Sequence, residues 1–458
     1  MGLDVRASFP ITKTVFESPV TGAQIPLVYM DHAASTHPPI PVIEAHEEFL
    51  RHTYANVHRG AHHLSLVSTE KFEDCRWKIR AFTGARKEDE VVFTHNTTSA
   101  LNLAAHLMGN VPGKTLVTQL EHHSNDLPHR ARGPVVRVHA TSDGRLDVSE
   151  YKRALTEHKV KLVAVTAASN VTGIMPPLAE VIDLAHKVGA RVLVDGAQAL
   201  AHLPLQLAKW GSSGGPDMFA APGHKAYAPF GAAFLLARKE LVEQAEPFYP
   251  GGGTVRLVTE RDVLWSHGYE KQEGGTPNVS GVVALGAAID FLRAAGMQHV
   301  RAHEVALARA MFEGLAEIPG VHVFGAEVPV EERVGVASFH VDGVPHGLVS
   351  TVLDHEFGVA TRNGCFCAHP YLTMLLGIGD DAAALHERIR GGESTNSATF
   401  PGATRASIGI YNNAEEVERL LHGMRVVAAR KWAGKYLHDG EGWRLDAPNA
   451  PRPIPPEI

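Results

Sequence analysis

Short apolar runs that end in a polar residue and give way to helical stretches recur through the first half of the chain. VVFT (Val91 to Thr94) leads through HNTTS into an apolar-periodic helix ending near Met108. TLVTQ (Thr115 to Gln119) runs into EHHSN, and VVRVH makes a further strand. KLVAVTAASNVTG is a strand with a polar exit, followed by the helix LAEVIDLAHKVG with its terminal Gly189. RVLVD closes the series at Asp195. Apolar runs of this length read as strands buried on both faces. Their alternation with helices predicts right-handed βαβ units, hence an α/β fold whose large domain has a mostly parallel sheet with helices on both faces. Ligands of such sheets gather at the carboxyl ends of the strands. Thr97, Thr98, His122, Asn170 and Asp195 all fall just after strand ends, so separate stretches of sequence converge on one crevice.

The stretch from Arg191 to Gly231 gives that crevice its chemistry. Thirty positions beyond Asp195 comes Gly-His-Lys, at Gly223 to Lys225, among prolines and glycines. An acid at a strand's carboxyl end and a lysine on a tight loop are what pyridoxal phosphate (PLP) requires. The amine forms a Schiff base, and the carboxylate keeps the pyridine nitrogen protonated so that the ring accepts electrons. Taken alone, the pair reads equally as a strand-capping acid and a surface lysine. HNTT sets hydroxyls and amides at a helix amino terminus, where a phosphate fits, although threonine there also serves as a plain cap. EHHSN offers an imidazole for a flat ring, and DGAQ adds Gln198 as a donor to a ring hydroxyl. GGTPN (Gly274 to Asn278) is a glycine-rich turn with a threonine hydroxyl.

Composition narrows the alternatives. A length of 458 residues suffices for two domains with a sizeable core. A net charge of −7 without a lysine/arginine-rich run argues against a nucleic-acid surface. The 28 histidines are spread without zinc spacing, so no metal site is expected. Three cysteines make no disulfide framework, and Cys75 in KFEDCRWKIR reads as structural. No window reaches membrane-spanning apolar length and the first residues show no signal-peptide core, so a cytoplasmic protein without membrane contact is expected.

Residues 42 to 53 and Ser68 to Phe82 read as helices, with ANVHRGAHHLS between them as a polar loop. Beyond Gly231 the pattern changes to a small-residue helix, VSGVVALGAAIDFL, then a second helix and a smaller α+β region. The expected organisation is a large PLP-binding domain over 25–295 and a small domain over 296–435, with segment 1–24 packed nearby. Residues 436–458, proline-rich toward the end, read as an extended tail.

In their order, DHAAS, ANVHRGAHHLS, FTHNTTSALNL, EHHSND, ASNVTG, VLVDGAQA, GHKAYAPFG, GGGT, GGTPN, TRNGCFCA and TRASIGIYN resemble the class V aminotransferase family of PLP fold type I. Within it they are most similar to the group II cysteine desulfurases, from about Tyr29 to Leu421. The resemblance implies that Lys225 holds PLP and later moves the substrate's α-proton, Asp195 pairs with the pyridine nitrogen, Gln198 with the ring oxygen, and His122 stacks on the ring. It implies that Thr97, Thr98 and His224 hold the phosphate while Thr276 reaches across from a second subunit, in a homodimer with shared sites. Arg405 would clamp the substrate carboxylate, with Asn170, Arg362 and His58 assisting. Cys367 matches the family's catalytic cysteine. As a thiolate it would take sulfur from L-cysteine, or a related sulfur or selenium amino acid, leaving alanine and an enzyme persulfide for an acceptor such as a protein. The alternatives are a C–S or C–Se lyase, a cofactor sulfurase, or a class V epimerase or aminotransferase that makes no use of Cys367.

Three departures from that pattern bear on function. Pro222 stands where a phosphate-binding serine is usual, and Cys365 where histidine is usual. Cys365 is either an incidental thiol or one that resolves the persulfide or forms a reversible intramolecular disulfide that switches the enzyme off. From Cys367 to Arg405 the chain runs 38 positions, and the excess, GIGDDAAALHERIRGGESTNSATFPG, begins helix-like and turns flexible, as a neutral insertion, a lid or a docking surface would.

Overall fold

Seven strands form the central sheet, in the order Glu90–Thr94, Ala233–Ala237, Met218–Pro222, Arg191–Asp195, Val160–Thr166, Lys114–Thr118, Val135–Val138. The structure, a computed structural model, describes residues 4–392, 401–440 and 442–446. Ala233–Ala237 runs antiparallel to both neighbours, and the remaining pairs are parallel. The exception follows from connection length: the ten residues after Pro222 carry no crossover helix, so the chain can only return antiparallel. Along Arg191–Asp195 the pleat sends Val192 and Val194 into the apolar core on one face and Leu193 into the core on the other. This double burial is why the strands read as unbroken apolar runs.

A second sheet is wholly antiparallel, in the order Val321–Val323, Val336–Val341, Ala403–Ser407, Arg362–Gly364. Helices Met297–Ala316, His346–Phe357 and Ala414–Ala428 share its apolar core. The segment from Ile25, expected with the large unit, joins this sheet's side instead: Val28–Tyr29 pairs in parallel with Val359–Ala360, and Asp31 bridges Ser407. Helix Val279–Ala295 meets Met297–Ala316 at 76°. Gly296 makes the corner with φ +78°, a left-handed angle that favours glycine.

Other boundaries differ from the sequence reading for local reasons. Helix His63–Thr83 starts five residues before Ser68, inside the stretch read as a loop, because His62 caps it by accepting from Ser65 N. EHHSN is the start of a helix, His123–Arg130, capped in the same way by His122. Residues 436–440 and 442–446 are no extended tail: Tyr436–His438 pairs with Trp443–Leu445, and Trp443 packs on the small core. The rest of the proposed tail, 447–458, lies outside the described residues. The insertion contains helix Gly379–Arg390, and residues 393–400 of it lie outside the described residues. Among the described residues no single helix is long and apolar enough to cross a membrane.

Candidate active site

A cavity of about 260 Å³ opens at the carboxyl ends of the large sheet's strands. Its wall brings together Lys225, Asp195, Gln198, His122, His224, Thr97, Thr98, Asn170, Arg362, Arg405 and Cys367. Two expected residues are elsewhere. His58 and Thr276 line a second cavity of about 450 Å³, where His58 Nε2 lies 2.8 Å from Glu73 Oε1.

The floor is built from strand ends. Asp195 is buried, and its Oδ1 accepts from Ala197 N at 2.9 Å. Burial raises its pKa, while Lys225 pulls it down. Burial pushes the Lys225 amine down to about 8 against the pull of Asp195, so a reactive neutral amine is accessible near neutral pH. Gly196 has to be glycine because a Cβ there would lie 2.0 Å from the Phe219 ring. Two residues on, Gln198 Nε2 donates to Ala33 O at 2.8 Å, leaving its second amide hydrogen for another acceptor. Thr36 fixes the lysine loop: its amide donates to His224 O and its Oγ1 accepts from Tyr227 N at 2.7 Å.

The side walls carry neutral imidazoles and hydroxyls. Burial takes His122 down to about 3, with Lys225 adding to it, and its Nδ1 accepts from Ser124 N at 3.0 Å. His224, taken to about 4 by burial, stacks on Phe230 at 5.6 Å. Thr97 opens helix Thr97–Leu107, whose cap is Asn96, and its buried Oγ1 has no hydrogen-bond partner. Thr98 Oγ1 lies 2.7 Å from Ser124 Oγ. Beneath His122, the buried Glu121 accepts from Thr118 Oγ1 (2.6 Å), Thr166 N (2.9 Å) and Asn125 Nδ2 (2.6 Å). Burial raises it to about 8, with nearby Asp195 adding to the shift.

The opposite wall comes from the small sheet. Arg405 is buried, with Nη2 3.0 Å from Asp31 Oδ1 and Nη1 donating to Asn170 O at 3.0 Å, while its Nε has no partner. Arg362 reaches the other Asp31 oxygen at 4.0 Å. The Arg405 guanidinium lies 4.8 Å from the Phe366 ring centre. Cys367 is exposed, and burial pushes the half-buried Cys365 thiol up. Burial thus works against Cys365 as a second nucleophile at neutral pH. Among the described residues one group of three metal-capable side chains gathers, His322, His340 and Asp342, outside this cavity.

The sequence matches the aminotransferase class-V family over residues 28–420. The chain belongs to that family. A cysteine desulfurase of Dickeya dadantii is 37% identical over 436 residues, covering 92% of this chain and 95% of its own. A probable cysteine desulfurase of Halalkalibacterium halodurans is 35% identical, covering 92% and 96%. Among solved structures, the apo cysteine desulfurase of Thermococcus onnurineus NA1 has a TM-score of 0.81 at 31% identity and covers 93% of this chain and 98% of that one. An Escherichia coli cysteine desulfurase in an S-sulfonic acid form has a TM-score of 0.77 at 28% identity, covering 93% and 98%. The large sheet with helices around it is therefore the PLP type I architecture that the motifs implied.

The donor set of this class-V cavity fits PLP. The unpartnered Thr97 hydroxyl at a helix amino terminus suits a phosphate. The buried Asp195 suits a protonated pyridine nitrogen, and the neutral His122 a flat ring. Asp31, Thr36, Glu121, Ser124 and Phe366 complete the site and were not singled out in the sequence. Asp31 and Glu121 stand at the head of DHAAS and EHHSND, which was the only signal they gave.

Proposed function

We propose that this class-V chain is a PLP-dependent cysteine desulfurase, which takes sulfur from L-cysteine, releases L-alanine and holds the sulfur on Cys367 for a protein acceptor. The observation that carries this reading is that one cavity contains Lys225, Asp195, Arg405 and Cys367 together. The family's cofactor, when bound, supplies an electron sink conjugated to the substrate's amino group. Lys225 attaches it and, near neutral pH, accepts the proton leaving the substrate's Cα and returns it. Asp195 keeps the pyridine nitrogen protonated, and Gln198 donates toward the ring oxygen. Thr97, Thr98 and His224 bind the phosphate, and the neutral His122 covers the ring without adding charge. Arg405, already oriented by Asp31 and the Asn170 carbonyl, holds the substrate carboxylate, with Arg362 at its side.

Cys367 as thiolate attacks the substrate sulfur. The new S–S bond forms as the Cβ–S bond breaks, and Cβ takes up a proton to give alanine. The persulfide then passes to the acceptor. All three cysteines are free, as this chemistry requires, and we place the protein in the reducing cytoplasm.

The active unit in this reading is a homodimer with shared sites. Thr276 and His58 face a cavity of their own, beside a hairpin, Val255–Val258 with Val263–Trp265, that exposes Leu257 and Leu264. Tyr54, Leu66 and Tyr249 are exposed as well, the kind of apolar surface that a second copy covers. The two domains of each subunit divide near residue 295.

Alanine and sulfide release from L-cysteine, with and without reductant, tests the assignment in wild type and Cys367→Ala. Stoichiometric alanine and sulfide from wild type, lost in the variant, is the expected result. Equal activity of both would move the protein to the lyases. No activity on cysteine in a cofactor-loaded protein would overturn the substrate.

A further inference from the structure

Phe366 and Cys367 both hold left-handed backbone angles, φ 55° and 52°. That conformation is unfavourable for residues with a side chain, so two in succession persist only where the surroundings over-determine them. The ties are on the loops of the large sheet. His123 N donates to Cys367 O at 2.7 Å, and Asn170 Nδ2 to Phe366 O at 2.7 Å. Downstream, Gln119 Nε2 donates to Pro370 O at 2.9 Å and Tyr371 Oη to Gly144 O at 2.6 Å. Between these anchors the His123 and His369 rings stack with centres 5.0 Å apart and planes 10° from parallel. His123 Nε2 accepts from His369 N at 3.2 Å, with His369 Nδ1 at the same distance.

We propose that His123 and His369 are positioning residues for Cys367: their stacked rings lock the cysteine loop in its left-handed shape, so that sulfur is taken up by a preset nucleophile and not by one that swings in. The proposal rests on the reading of Cys367 as the persulfide carrier. The two imidazoles touch the loop backbone and each other, and neither is placed on the reacting atoms. His123 follows His122 at the start of helix His123–Arg130, so the ring that faces the cavity and the ring that holds the loop are neighbours on one rigid element. A lone pair on His123 Nε2 is needed to accept from His369 N, and burial, which lowers the pKa of both rings, favours that neutral form.

The test uses the cofactor-loaded enzyme with His369→Ala and His369→Phe, the second keeping a flat ring for the stack. Three readings are taken: kcat and KM for L-cysteine, the rate of Cys367 alkylation by iodoacetamide followed by peptide mass spectrometry, and thermal melting with cofactor absorbance. For His369→Ala, kcat is expected to fall roughly tenfold to hundredfold, the loss typical of a reacting group set free by about an ångström. KM should stay within about twofold, since substrate binding is not involved. Alkylation of Cys367 should change severalfold, with melting and absorbance unaltered, and His369→Phe should recover most of kcat. Wild-type kcat and alkylation in His369→Ala would overturn the proposal. So would equal loss of kcat, melting temperature and cofactor absorbance in both variants, which marks a merely structural role. A wild-type enzyme that makes no alanine but shows the expected alkylation shift would sink the persulfide reading and leave the positioning role standing.

Discussion

The two walls of the cavity are made differently. The wall on the large sheet places Asp195 and Lys225 at or just beyond strand ends, both desolvated, with Asp195 held by the nearby Ala197 amide. The wall on the small-sheet side presents Cys367 exposed, on a loop with left-handed backbone angles tied down by residues far away in the chain. Groups that tune a cofactor gain from burial, because a low dielectric strengthens what one charge does to another. In the proposed reading Cys367 hands sulfur to an acceptor, so it cannot be buried. Its geometry has to be fixed by other means, and here it is fixed from outside the loop.

If that division of labour holds, removing a group from the buried wall should do the most damage. Lys225→Ala is expected to lower alanine formation by ~10³-fold or more, since it removes the proton carrier along with the point of attachment. Steady-state rates with added PLP read this directly, and a variant within tenfold of wild type would break the comparison. Arg405→Lys comes next. Losing two charge-assisted bonds of a planar fork should raise KM for L-cysteine about 10- to 100-fold, with the melting temperature as the check on the ion pair to Asp31.

The buried titrations sharpen the same contrast through stability. In protein stripped of cofactor, Lys225 has its pKa lowered from 10.5 to about 8. Over that window the unfolded chain holds a proton that the folded one has lost, so stability should rise from pH 8 toward 10.5, by a few kcal/mol at most. Denaturant melts should show the rise in wild type and its absence in Lys225→Met. Glu121 has the opposite sign: with its pKa raised from 4.5 to about 8, it makes the folded state lose stability as pH climbs through that range. Glu121→Gln removes that titration, and the buried, unpartnered Asn125 Oδ1 can take the new amide hydrogen if Asn125 turns over. Its stability advantage over wild type should widen from pH 4.5 to 8, with the smallest change in activity of the series.

The buried wall was the legible one. Double burial writes a strand as an apolar run that ends in a polar residue, so the mostly parallel sheet and the acid at the end of the Asp195 strand could be read directly. Lys225 needed its glycine-rich surroundings as well. Asp31 showed only as the head of DHAAS, and its role was not legible because its partner Arg405 is 374 residues away. The first turn of the helix that opens at His63, and the helix that opens at His123, were missed because a histidine ring replaces the usual hydroxyl or carboxylate cap. The pairing of His123 with His369 spans 246 residues, and no periodicity could announce it.

The bond between Asp31 and Arg405 also sets a schedule. Synthesis proceeds at about 5–20 residues per second and the earlier part of a chain folds first. The strand ends that carry Asp195 and Lys225 therefore emerge, and their sheet gains its last strand at Ala233–Ala237, well before Arg405 leaves the ribosome. For some seconds the nascent chain has a cofactor floor but neither the thiol nor the grip on a substrate carboxylate. In the proposed reading sulfur chemistry becomes possible only once Arg405 has joined Asp31, so an unfinished polypeptide would have no means of releasing sulfide.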